Sequence, residues 1–256
     1  MNEQQRVLEF VMAAGELLLK NGAEVSRTQQ TMEIMAKSLG VDSFHGYVLT
    51  NGLFASMGTD YGQPAQIRSV PQSEVHLGRV EAINELSRRI AQGKVTLDEA
   101  YEELERIRKI PYAPNWQQIA ACSLGSACFA LLFGGVWQDG VIALAVGFGL
   151  QLLLIGCGRI ELNKLFTKFL GAAFVALATI LLFTTGFGLN MDKSIIGALM
   201  PLVPGMAFTL GIRDLIMADF LSGTIRMLDA LLTGACIACG VGFVLGIVNM
   251  IPGVIL

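Results

Sequence analysis

The sequence predicts an α+β cytoplasmic domain followed by an all-α membrane bundle of about five transmembrane helices. Three observations predict it. The character of the chain breaks near Pro114: residues 1–113 are charged and polar, and residues 114–256 are almost wholly apolar. Of 256 residues, 53% are hydrophobic and only 15% charged, against roughly 25% charged in a soluble domain. The apolar residues also come in blocks near the ~20 residues that cross a hydrocarbon core. The N-terminus, MNEQQRVLEF, lacks a basic stretch leading into an apolar run, so the first domain is expected to stay in the cytoplasm.

Within residues 1–113, Val7, Phe10, Val11, Ala14, Leu17 and Leu18 form one helical stripe over residues 4–20. Asn21-Gly22 ends that helix, with Gly22 suited to a left-handed cap. A second helix is expected from about Ala23 to Leu39, closed by Gly40. Residues 45–50 and 53–57 read as strands. Asn51-Gly52 between them is a tight-hairpin signal, because both residue types tolerate positive φ. A third strand, Gln66–Val70, follows a turn at Asp60-Tyr61-Gly62 and stops at Pro71. Helices are expected over residues 75–92 and 96–109. Thr96 is a natural N-cap for the second, with Glu99 completing a capping box. His45 and His76 lack metal-ligand spacing, and no HExxH, GxSxG or phosphate-loop pattern occurs. No metal, cofactor or enzymatic activity is expected. The five cysteines all lie in the apolar half, where Cys236 and Cys239 read as small packing residues.

Residues 114–256 offer five apolar blocks: Trp116–Val136, Gly140–Cys157, Phe169–Leu189, Ile195–Ile212 and Met227–Ile251. The Gln138-Asp139 connection makes the first two antiparallel neighbours. If five spans alternate, Arg106, Arg108, Lys109, Arg159, Lys164, Lys168, Arg213 and Arg226 share one side and only Lys193 faces the other. That bias puts the N-terminal domain inside and the C-terminus outside. Small residues recur every four positions at Cys122, Ser126, Ala130 and Gly134, and again at Gly234, Ala238, Gly242 and Gly246. Each row is a surface that another helix backbone can approach.

The charges that survive in this half converge on Arg213, Asp214, Asp219, Arg226 and Asp229. They follow a break at Pro201, Pro204 and Gly205. Two readings of the break stay open. It is a simple proline kink, or a discontinuous helix whose freed carbonyls face water or solute, as at transporter substrate sites. The charges likewise read either as a cytoplasmic loop or as a cluster facing a polar cavity, with Asp214 accepting a substrate ammonium or a coupling proton and an arginine holding a carboxylate. Block length favours the loop for Asp219 and Arg226.

The segments LLLKNGAEVSRTQQTMEIMAKSLG (17–40), IRSVP (67–71), INELSRRIAQGKVTLDEAYEELERI (83–107), LVPG (202–205), IRDLI (212–216) and SGTIRMLDALL (222–232) together resemble the threonine/serine exporter (ThrE-like) family. The likeness is to the N-terminal-half subunit of its split two-component form, similar to the YjjP/YjjB pair. The resemblance implies a secondary-active inner-membrane exporter of small hydroxylated amino acids. An alternative within the same family is export of a dicarboxylate such as succinate, and a membrane-tethered ligand-sensing protein is a third reading. Because this chain stops at Leu256, the resemblance implies a smaller all-membrane partner subunit and a homo- or hetero-oligomer. Carried over residue by residue, the membrane motif matches at Pro204, Gly205, Asp214, Gly223 and Arg226. The N-terminal motif matches at Asn21, Gly22, Ala23, Glu24 and Arg27.

Overall fold

The computed structural model describes residues 3–58, 65–70, 75–160 and 162–250. The expected turn at Asp60-Tyr61-Gly62, Pro71 and the final residue of the fifth apolar block, Ile251, lie outside the described residues. Two compact units emerge from the contacts. One holds the residues up to Tyr112 together with Thr209–Arg226. The other holds Ala113–Phe208 and the residues from Met227 on.

The first unit begins with α1 (Glu3–Lys20) and α2 (Val25–Ser38). Between them, Gly22 takes φ 88°. Its N–H reaches Leu19 O and the Ala23 N–H reaches Leu18 O, the paired bonds that close a helix through a left-handed residue. Strands β1 (Phe44–Leu49), β2 (Gly52–Met57) and β3 (Ala65–Ser69) form one antiparallel sheet in the order β1-β2-β3. Leu49 pairs with Gly52, so the hairpin turn is Thr50-Asn51, one residue earlier than the dipeptide signal implies. Gly52 opens β2 without a positive φ. Helices α3 (Leu77–Ala91) and α4 (Leu97–Arg108) complete the layer, and α4 carries the expected capping box of Thr96 and Glu99. Phe10, Met32, Met35, Leu53, Ile83 and Leu104 are fully buried at its centre.

The second unit is built from α5 (Asn115–Leu132), α6 (Trp137–Arg159), α7 (Lys164–Phe183), α8 (Met191–Leu199) with a 3-10 turn at Met200–Leu202, and most of α10 (Phe220–Asn249). Helix α9 (Gly205–Ile216) runs from this unit into the first. Leu150, Ala172, Val175, Ala198 and Leu202 form its fully buried interior.

This architecture corrects the expected one. Among the described residues the chain is mostly helical with one small three-stranded sheet, not a separate α+β domain followed by a five-helix bundle. Among the described residues three helices, α6, α7 and α10, are long and apolar enough to cross a membrane. The count is four if α8 with its 3-10 turn and α9, bent by 62° at the break, make one span. Helix α5 drops out because Asn115, Gln117 and Gln118 dilute an 18-residue helix. It packs along α6, where Gln118 and Gln151 hydrogen-bond at 3.2 Å. The segment Thr209–Arg226 groups with the N-terminal residues rather than with the bundle. The outward placement of the C-terminus rested on five alternating spans, and that count does not stand.

Two smaller expectations also shift. The α5–α6 connection is Phe133–Val136, and Gln138 and Asp139 already belong to α6. Of the two small-residue rows, Cys122, Ser126 and Ala130 are buried: Gly147 leaves no room for a Cβ beside Ser126, nor Gly197 beside Ala130. The α10 row behaves differently. Gly234, Gly242 and Gly246 face open space, while Gly240, outside the row, meets the α7 backbone at Phe169 O.

Candidate functional site

The Asn21–Glu24 turn, the last turn of α9 and the first two turns of α10 meet within the first unit. Glu24 stands as the N-cap residue of α2 in extended conformation, and its side chain makes no capping bond. Its Oε1 accepts from Arg213 Nη1 at 2.6 Å. Arg226 donates to the backbone oxygen of Ala23 at 3.3 Å, and its Nε lies 3.1 Å from Asp214 Oδ2. Both members of that second pair are desolvated, with side-chain exposures of 12% and 5%. An ion pair this buried holds only while both partners are present.

The turn joining α9 to α10 positions these groups. Ala218 adopts φ 64°, and Asp219 N–H returns to Asp214 O at 2.9 Å. This is the same closure that ends α1, here on an alanine that bears the strain of a left-handed conformation. Asp219 then accepts from Ser222 N–H at 3.3 Å and so caps α10. Gly223 is required by packing, because a Cβ there would strike Leu215. Four buried polar atoms of the cluster, Glu24 Oε2, Asp214 Oδ2, Ser222 Oγ and Arg226 Nε, make no hydrogen bond within the protein. Asp214 Oδ2 and Arg226 Nε face each other as an ion pair at 3.1 Å, and Glu24 Oε2 lies 3.7 Å from Arg27, which leaves Ser222 Oγ as the uncommitted atom of the four.

The sequence-predicted residues divide accordingly. The structure brings together Glu24, Arg213, Asp214 and Arg226, with Asp219 capping beside them. Arg27 stays at the edge, largely exposed and 3.7 Å from Glu24. Asn21 is fully buried but structural: its Nδ2 donates to Leu17 O at 2.6 Å. Gly22 serves the turn. Pro204 and Gly205 stand at the opposite end of α9 from Asp214, roughly 13 Å along the axis at the rise of an α-helix. Arg226 sits inside α10 rather than in a loop. Asp229 pairs with Lys164 at 2.7 Å.

Sequence reasoning missed Asp139. It is fully buried at the start of α6. Its carboxylate accepts from the backbone N–H of Val136, Leu189 and Asn190 and from the Asn190 side chain, at 2.8–3.0 Å. It locks the start of α6 to the approach of α8. The available signal was its place in the first turn of a helix, where a carboxylate is favoured.

A chain with several apolar helices of spanning length and a buried, mixed-charge cluster is a membrane protein with a polar interior site. Its residues 9–248 match the family described as "Putative threonine/serine exporter", and the chain belongs to that family. It is 23% identical over 93% of its length to the "Probable threonine/serine exporter" of Mycobacterium tuberculosis, covering 45% of that protein. It is 22% identical over 92% of its length to the "Threonine/serine exporter" of Corynebacterium glutamicum, covering 50% of it. It is also 22% identical over 91% of its length to "Pheromone-regulated membrane protein 10" of Pichia sorbitophila, covering 24% of it. The chain thus spans at most about half the length of these relatives. No solved structure matches it.

Proposed function

We propose that this chain is a subunit of a secondary-active inner-membrane exporter of threonine and serine. Its N-terminal residues face the cytoplasm, and Glu24, Arg213, Asp214 and Arg226 handle the substrate. The observation that carries the reading is the buried pair Asp214–Arg226 beside Glu24–Arg213. A small amino acid is a zwitterion. Its ammonium is matched by a carboxylate and its carboxylate by a guanidinium fork, and the Asp214–Arg226 pair holds both in a desolvated setting. A substrate that inserts between Asp214 and Arg226 exchanges one ion pair for two, so the buried charges remain compensated while it is bound. The serine or threonine hydroxyl finds a match in the uncommitted Ser222 Oγ. The family match and the names of the two bacterial relatives support the substrate class. The broken helix around Val203-Pro204 supports a transport route, since irregular backbone at membrane depth is tolerated where it lines a cavity or is covered by protein.

The relatives are about twice as long as the matched segment. We propose that a smaller all-membrane subunit completes the pathway in a hetero-oligomer. The test is efflux of labelled threonine, serine and succinate from vesicles containing this chain with and without such a partner. Efflux of threonine and serine that requires both chains is expected. Efflux of succinate alone would reject the substrate, and no efflux of any of the three with both chains present would reject the reading.

A further inference from the structure

A cavity of about 380 Å³ opens in the first unit, lined by Glu16, Leu17, Lys20, Arg68, Arg79 and Arg108. It gathers four cations from four different elements, α1, β3, α3 and α4, around one carboxylate. Arg68 pairs with Glu16 at 2.9 Å, and Arg108 pairs with Glu105 at 3.1 Å. Arg79 donates twice to Ile110 O, at 3.0 and 2.6 Å, and stacks over Tyr112. Lys20 and Arg108 occupy the last turns of α1 and α4, where a cation is favoured by the helix dipole. That effect is local to each helix. Arg68 is held at the hollow by its pair with Glu16, and Arg79 by Ile110 O and, at 3.4 Å, by Asn21 Oδ1. Like charges around a concave wall repel one another, and they concentrate anions within it.

We propose that this cavity binds a small dianion carrying carboxylate or phosphate groups. The guanidinium of Arg68 offers a planar fork to one anionic group, Lys20 and Arg108 add positive charge to the lining, and Leu17 adds an apolar contact. The volume lies at the low end of small-molecule sites, which run about 300–1,000 Å³, so the occupant is of metabolite size. The cavity shares no residue with the Asp214–Arg226 cluster. The proposal does not rest on the transport reading, because binding is measured without flux.

The test is calorimetric titration of the full chain in detergent with inorganic phosphate and with succinate as dianion probes, and with acetate as the monoanion control. Wild type is expected to bind at least one dianion saturably and more tightly than acetate. The Lys20→Gln/Arg108→Gln variant is expected to bind it about tenfold or more weakly, a drop in line with losing charge-assisted contacts. That variant leaves the Arg68–Glu16 pair and the Arg79–Ile110 bonds in place. If circular dichroism shows it misfolded, Arg108→Gln alone is compared, with a smaller drop in the same direction expected. Absence of saturable binding to wild type, equal binding by the folded variant, or binding only to vesicles of anionic lipid overturns the proposal. The last outcome would assign the basic cluster to a membrane surface.

Discussion

At the scale of single residues, the account turns on buried charges that depend on one another. Arg226→Met leaves Asp214, 4% exposed, without its counter-charge. Losing one partner of a buried pair costs about 3–5 kcal/mol, so a lower thermal unfolding midpoint in detergent is expected. Arg226→Lys should restore part of it, since the charge returns without the fork. Equal midpoints for wild type and Arg226→Met would show that the pair contributes nothing. Asp139→Ala tests the second buried carboxylate. It strips the acceptor from four donors, and a buried donor left unsatisfied costs about 1–3 kcal/mol. A fall of several kcal/mol in unfolding free energy by denaturant titration is expected, and an unchanged midpoint would contradict the locking role. The sequence singled out Arg213, Asp214 and Arg226 because charges stand out against an apolar background. It gave no means of pairing them with Glu24 or Ala23, which lie 189 and 203 positions away and leave no local signature.

At the scale of elements, what was legible is what local chemistry decides. Gly22 ends α1 with a positive φ, and Thr96 with Glu99 caps α4, both as the residue types dictate. Backbone and side-chain bonds from Thr96 hold the Glu99 carboxyl below its usual range. A carboxyl depressed in the folded state contributes stability that is present above its unfolded value and lost as pH falls through its folded value. Wild type should therefore lose α4 stability on acidification below about pH 4.5, read by amide exchange. Thr96→Ala, expected to cost about 1 kcal/mol as a lost cap, keeps the backbone N–H to Glu99 and should flatten that dependence only in part; an identical profile in both would reject a role for the side chain. The α10 glycines were less legible, because spacing shows a smooth ridge but not which ridge is used. Gly240→Leu should lower the thermal midpoint sharply, since its Cβ position is already filled by the α7 backbone at Phe169. Gly242→Ala, which faces open space, should be neutral or slightly stabilising. Equal effects at the two positions would mean that α10 packs through its other face.

At the scale of the whole molecule, the largest departure from the sequence reading is the number of spans. Apolar blocks were counted as crossings by composition alone. The structure divides one of them at Val203-Pro204 and gives another, α5, too polar a first turn to qualify. Hydropathy also could not show that Thr209–Arg226, written into the apolar half, folds with the N-terminal residues. That grouping is what puts Arg213 and Arg226 against the Glu24 turn, and it gives a physical reason for the exporter family's charged segment and N-terminal motif to occur in one chain. The measurement that bears most directly on this is threonine efflux from vesicles carrying Asp214→Asn together with the proposed partner subunit, at wild-type membrane abundance. Efflux at the background of empty vesicles is the predicted result; efflux at the wild-type rate would contradict the role given to this cluster.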